Sequence, residues 1–211
     1  MIILEYIDSI LAITGLMIVT LASPGPDFAI IVKNSIIYSR KTALFTALGI
    51  ALGILIHVTY TLLGFGIIIA KTPWLFSIFK YLGAAYLIYI GFKGLRAKKS
   101  HIDFEGKKMT KDISTASAIS AGFFTNALNP KAMLFFVSLF SALMSPDTSS
   151  VIMTIYAIII FTTTLVWFSL VAFFLSGKKT RKYFSNFGYL IERITGIILC
   201  VLGVFMLFFK I

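Results

Sequence analysis

The chain has 211 residues, of which 59% are hydrophobic and 13% charged, and its formal net charge is +11. A soluble domain is about 45–50% apolar and about 25% charged, so this composition, with a mean hydropathy of +0.98, leaves too little polar surface to cover a water-exposed body of this length. That argues against a soluble enzyme and for an integral membrane protein; the single Cys200 rules out an intrachain disulfide, a cysteine metal cluster and dithiol carrier chemistry.

Six apolar runs follow in order, at about 6–32, 43–70, 73–95, 114–144, 150–177 and 185–209. Each is long enough to cross a hydrocarbon core about 30 Å thick as a helix. Period-2 alternation is absent, so a transmembrane β-barrel is not a competitor. Met1 to Ser9 carries Glu5 and Asp8 and no basic residue, which reads as a retained first span rather than a cleaved signal. Lys33, Arg40 and Lys41 lie between spans one and two. Lys93, Arg96, Lys98, Lys99, Lys107, Lys108 and Lys111 lie between three and four, and Lys178, Lys179, Arg181 and Lys182 between five and six. Thus 14 of the 19 basic residues fall in alternate connections, against Lys71 and Lys210 on the other side. The positive-inside bias then puts the basic loops in the cytoplasm and both termini outside. The same placement accounts for the +11 charge through topology and anionic lipid headgroups, so nucleic acid is not expected as a partner.

The mixed-charge segment 97–113, with Gly106 inside it, reads as a basic cytoplasmic linker between residues 1–96 and 114–211. Three spans on each side make the second half enter the membrane from the opposite face, the arrangement of inverted-repeat transporters. Unusual features recur between the halves. Ser23-Pro24 and Asn129-Pro130 are 106 residues apart; His57 and Thr59 fall opposite Thr163 and Leu165 at the same offset; Lys80 precedes Gly83 as Arg193 precedes Gly196, at an offset of 113. The expected fold is therefore all-α: a polytopic membrane protein of six transmembrane helices in two inverted three-helix repeats, with spans one and four broken at proline motifs.

Span one contains Ser23-Pro24-Gly25-Pro26-Asp27. Prolines there cannot continue a helix cleanly, yet Ser followed by Pro is also how a helix begins, as N-cap and first helical residue. Asn129-Pro130 has the same grammar. In the inverted arrangement both restarted half-helices point their N-termini at the midplane, where unpaired N–H groups and about half a positive charge favour an anionic group. Asp27 can hold an ammonium or a proton; Lys131 can hold a carboxylate or pair with Asp27. A buried structural ion pair, or a lysine reaching to the interface, is the plainer alternative.

His57 lies mid-span and can relay protons or simply bond a neighbouring helix. Lys80 and Arg193 read as residues near the outer ends of spans three and six, in interfacial or gating positions, with Glu192 beside Arg193. Gly49 and Gly53 form a G-x-x-x-G pair suited to close helix packing. Thr162, Thr163 and Thr164 line a polar path or bond their own helix, and the 21 phenylalanines read as lipid-facing bulk. No nucleotide-binding loop is present, so uphill transport would draw on an ion gradient, with protons at Asp27 the simplest choice. No cofactor and no metal is expected.

Ser-Pro-Gly-Pro-Asp at 23–27 and Asn-Pro-Lys-Ala at 129–132 resemble the two signature motifs of the LysE/RhtB family of amino acid exporters. Chain length, basic central loop and small-residue second span fit as well. The resemblance implies an inner-membrane exporter of amino acids or related small metabolites working by proton antiport, not an enzyme. It places the substrate site at Ser23, Pro24, Gly25, Pro26, Asp27, Asn129, Pro130, Lys131 and Ala132. Asp27 and Glu192 against Lys80, Lys131 and Arg193 leave no acidic surplus within the spans, which favours a zwitterionic neutral amino acid over a basic one or a divalent metal. An exporter of another small solute or metal ion, and a non-transporting scaffold or channel subunit, stand as alternatives. Oligomeric state is not legible.

Overall fold

The computed structural model describes residues 6–23, 25–98, 111–143, 148–175 and 178–208, with 65–71, 73, 76, 175 and 178–188 described by backbone alone. Pro24, most of the central linker and the side chains of Lys178 to Lys182 lie outside the described residues. Those described form eight α-helices and no strand: α1 (Ile7–Ala22), α2 (Pro26–Ile37), α3 (Arg40–Lys71), α4 (Pro73–Leu95), α5 (Thr115–Ala127), α6 (Pro130–Leu143), α7 (Ser150–Leu175) and α8 (Lys178–Phe208).

The residues 40–64 of α3, 150–174 of α7 and 189–208 of α8 are each long and apolar enough to cross a membrane; α1 and α2 make a fourth crossing if taken as one span bent by 57°. The α5–α6 pair is not among these crossings, and α6 by itself is a shorter apolar helix. The outer faces are those of a chain dissolved in lipid. On α8, Ile194, Ile197, Val201, Val204 and Phe208 are all exposed, at the alternating three- and four-residue spacing of a single helix stripe. Its opposite face, with Thr195, Leu199 and Met206, is buried.

Small residues let backbones touch. A Cβ on Gly49 would run into the Ile119 carbonyl, and one on Gly53 would lie 2.7 Å from the Phe123 carbonyl; a Cβ on Gly122 would strike the Thr46 carbonyl. The G-x-x-x-G pair of α3 thus faces α5. Residue pairs along that seam rise together, so α3 and α5 run parallel. On the other side of the molecule Gly94 meets Glu192 and Gly196, Gly91 meets Gly196 and Cys200, and Ala84 and Ile88 meet Gly203. There one number rises as the other falls, so α4 and α8 are antiparallel.

Three contacts gather the basic connections at one end. Ser39 Oγ donates to Asp112 Oδ2 at 2.6 Å, the Arg40 guanidinium lies 4.2 Å over the Phe173 ring, and Arg193 Nε donates to the Ala97 carbonyl at 3.0 Å. The last contact corrects the expectation that Arg193 shares the outer end with Lys80. Antiparallel pairing sets the middle of α8 beside the end of α4, while Lys80 sits about 25 Å back along that helix at about 1.5 Å per residue.

The phenylalanine expectation holds for Phe92, Phe124, Phe173, Phe174, Phe205 and Phe208, which are exposed, and needs correction for others. Phe28, Phe135, Phe136, Phe140 and Phe168 are buried, because the interior of this bundle is as apolar as its exterior and needs large side chains to fill it.

Gly122→Ala is expected to destabilise the protein by about 1–3 kcal/mol, because the new methyl meets backbone rather than a side chain that can move. Gly64, where an added methyl would have nothing within 4 Å, is the control, and Gly64→Ala is expected to be neutral or to stabilise by up to about 1 kcal/mol. Thermal unfolding in detergent separates the two.

Candidate substrate-binding site

The two helix breaks meet. α1 ends at Ser23, whose extended backbone donates its N–H to the Thr20 carbonyl at 3.2 Å. α2 then starts with Gly25 as N-cap and Pro26 in its first turn. Here the sequence expectation is revised: Ser23 closes α1 instead of capping the next helix. Pro26 is the residue suited to the first helical position, where a missing N–H costs nothing, and the Ser23 hydroxyl is engaged elsewhere. It accepts from Lys131 Nζ at 2.9 Å, and the Ser23 carbonyl accepts from the same ammonium at 3.3 Å.

The second break follows the expected grammar. Asn129 precedes Pro130, and its Oδ1 accepts the Lys131 backbone N–H at 3.0 Å, the N-cap bond of α6. Its Nδ2 donates to Asp27 Oδ2 at 2.9 Å, and Asn126 Nδ2 donates to the same oxygen at 3.1 Å. One asparagine therefore caps its own helix with one side-chain atom and holds the opposite half's carboxylate with the other. Hydrogen bonds to a charged group contribute more than neutral ones, typically about 1.5–3 kcal/mol each.

Asn126 is a site residue that sequence reading missed. It lies near the end of α5, where the last carbonyls have no helical partner. Its carbonyl accepts from the Asn129 N–H at 2.8 Å and from His57 Nε2 at 2.9 Å. A carbonyl only accepts, so Nε2 carries the proton; in the neutral ring Nδ1 then accepts from the Tyr60 hydroxyl, 2.9 Å away. The ring also stacks on Phe136, with centroids 6.1 Å apart. His57 thus reaches Asp27 through Asn126 and bonds a neighbouring helix, the plainer of its two expected roles. Thr162 and Thr164 spend their hydroxyls on the Ile158 and Ile160 carbonyls of their own helix.

A cavity of about 40 Å³ lies at the junction, space for about three water molecules. Ser23, Gly25, Asp27, Asn129, Lys131 and Ala132 line it on the polar side together with Thr20 and Asn126. Phe28, Ile54, Phe135, Phe136 and Phe168 form much of the apolar wall. Six motif residues are thus brought together around one space; Pro26 and Pro130 shape the helix starts without lining it, and His57, Lys80 and Arg193 lie outside it. The cavity presents one carboxylate and one ammonium, with a wall that is otherwise largely hydrocarbon. Among the described residues no group of three His, Cys, Asp or Glu side chains is placed to hold a metal ion.

Removing Asn129 strips Asp27 of a donor and α6 of its cap. Asn129→Ala is expected to cost about 2–4 kcal/mol of stability. The loss should shrink when the carboxylate is already neutralised by Asp27→Asn, a coupling that a double-mutant cycle of unfolding temperatures in detergent would read.

A family model described as LysE type translocator matches residues 18–209. The threonine efflux protein of Escherichia coli (strain K12) is 30% identical over 200 residues, covering 93% of this chain and 96% of that protein. The uncharacterized membrane protein YrhP of Bacillus subtilis (strain 168) is 29% identical over 203 residues, covering 93% and 97%. The leucine efflux protein of Salmonella choleraesuis (strain SC-B67) is 36% identical over 118 residues, covering 56% and 54%. No solved structure matches. With its family model spanning both helix breaks and nearly all of the sequence, this chain belongs to the LysE type translocators, membrane transporters and not enzymes.

Proposed function

We propose that this protein exports neutral amino acids across the inner (plasma) membrane by alternating access, exchanging them for protons at Asp27. The observation that carries the reading is the cavity between the two helix breaks, where Asp27 and Lys131 present one opposite charge each. An amino acid backbone carries one charge of each sign and needs one partner for each. The mostly apolar wall suits an uncharged side chain, whereas the second ammonium of a basic amino acid would be desolvated there at a high cost. The E. coli and S. choleraesuis relatives are named for threonine and leucine efflux, both neutral, and the first aligns over nearly the full chain. A proton and a substrate ammonium both neutralise the Asp27 carboxylate, so each excludes the other; that exclusion is what obligatory exchange requires.

The architecture that goes with this function is six crossings in two inverted repeats, residues 1–96 and 114–211, joined by the 97–113 linker. Part of the helix packing supports it, although the contacts of α4 with α6 and of α2 with α3 have no comparable counterpart between α8 and α2 or between α6 and α7. If α1–α2, α3 and α4 correspond to α5–α6, α7 and α8, the contacts of α3 with α5 have their counterpart in those of α7 with α1, and α3 with α6 in α7 with α2. The α3–α7 and antiparallel α4–α8 pairs each map onto themselves. Gathering of the basic connections at one end supports a cytoplasmic placement of that end, with both termini outside.

Everted membrane vesicles carrying an imposed proton gradient are expected to accumulate labelled threonine or leucine, and to lose that uptake when the gradient is collapsed. Asp27→Asn and Lys131→Ala, expressed at normal levels, are expected to lower uptake at least about tenfold, as loss of one charged contact does. Uptake by either variant at the rate of the unaltered protein would overturn the assignment of the site.

A further inference from the structure

Five buried side-chain polar atoms among the described residues have no hydrogen-bond partner: Thr20 Oγ1, Asp27 Oδ1, Asn126 Oδ1, Tyr156 Oη and Trp167 Nε1. The first three belong to residues that line the same cavity at the helix breaks. Buried acceptors are normally satisfied, and leaving one unmade costs free energy. Three in one small space is a concentrated deficit.

None of the three is explained by local structure. Threonines in these helices bond back to the carbonyl four residues earlier, as Thr14, Thr46, Thr61, Thr125 and Thr164 do; Thr20 does not. Asn126 is only 2% exposed, and its amide orientation is set by Asp27, because turning it over would replace a donor with an oxygen facing the carboxylate. Its Oδ1 is therefore committed to lie on the other side, without a donor. Asp27 Oδ2 is served twice by asparagine amides, whereas Oδ1 is served by none.

We infer that Thr20 Oγ1, Asp27 Oδ1 and Asn126 Oδ1 form the seat of the substrate's primary ammonium group. This rests on the amino acid reading above and deepens it. A primary ammonium has three N–H donors and no acceptor, and the seat offers three oxygens, one of them anionic. The carboxylate of the same substrate then faces the Lys131 ammonium, and its side chain faces Phe135, Phe136 and Phe168. Thr20 and Asn126 are assigned here as binding residues outside both sequence motifs, one from each half of the chain. Asn126 does double duty, contributing an oxygen to the seat and orienting Asp27.

Ligand-induced thermal stabilisation of purified protein tests the assignment with two pairs of probes: L-leucine with 4-methylpentanoate, and L-threonine with 3-hydroxybutanoate, each acid lacking only the amino group. The unaltered protein is expected to bind the amino acids and to bind the deaminated acids at least about tenfold more weakly. Thr20→Val keeps the shape and removes the hydroxyl; it is expected to weaken amino acid binding about tenfold and leave the deaminated acids unchanged. Thr20→Ser is expected to restore the discrimination, and a merely structural role would move both probes of a pair together. Asn126→Ser serves as the second variant if Thr20→Val does not fold, with the same loss expected. Equal binding of amino acid and deaminated acid overturns the seat while leaving the amino acid reading standing. Sodium-dependent stabilisation without amino acid, lost in Thr20→Val, gives the oxygens to a metal cation and likewise overturns it. No stabilisation by any of the twenty amino acids defeats the underlying reading and the seat together.

Discussion

A carboxylate from one half of the chain is held by two amides from the other, and the rest of the site depends on it. Asp27 sits in the first turn of α2; Asn126 and Asn129 flank the break between α5 and α6. In the reverse direction the Lys131 ammonium crosses to Ser23. The two broken helices are therefore laced together by polar bonds in both directions. A helix break inside a bilayer is tolerated only where its freed groups find protein or water. Here each break supplies what the other lacks.

The frame around this junction is built on a different principle. Between α3 and α5, and between α4 and α8, glycines bring backbone against backbone, so dispersion and shape hold the pairs where no hydrophobic difference between lipid and side chain can. Some of the bulky aromatic residues fill the remaining interior, where Phe136, Phe140, Phe168 and Tyr156 are fully buried. Tight pairs of helices and a polar seam thus divide the labour: packing fixes the pairs, and hydrogen bonds fix the breaks.

This division also explains what could be read from the sequence. Apolar runs and proline positions are local signals, and they located the helices, both breaks and the N-cap role of Asn129. The G-x-x-x-G pair likewise announced a close packing face. What the sequence concealed depends on which helices become neighbours. Asn126 in NAL and Thr20 in VTL look like ordinary polar residues of a span, and nothing in their spacing reveals that both line the space beside Asp27. Arg193 is a different case: it stands near the start of span six as Lys80 stands near the start of span three, and alternation of the spans alone sets those two starts at opposite ends, in accord with the bond from Arg193 to the Ala97 carbonyl. Ser23 was assigned to the wrong helix because two prolines with one grammar compete, and a tertiary partner, Lys131, decides between them.

Size sets a further constraint. A cavity of about 40 Å³ admits about three waters, not a threonine, so occupation by an amino acid requires the junction to widen. The glycine seams resist it, since any separation there forfeits close backbone contact along a whole helix. The breaks are joined instead by a few discrete hydrogen bonds, those of Asp27 with Asn126 and Asn129 and of Lys131 with Ser23. In the proposed cycle the substrate ammonium takes the Asp27 oxygen that the asparagines leave without a donor, and the substrate carboxylate draws the Lys131 ammonium from Ser23, so part of the free energy lost in parting the two tips is returned by the molecule that parts them. An uncharged or singly charged solute makes only part of that exchange. In the proposed cycle, selectivity for zwitterions would reside in the contacts of Asp27 and Lys131 that join the two breaks.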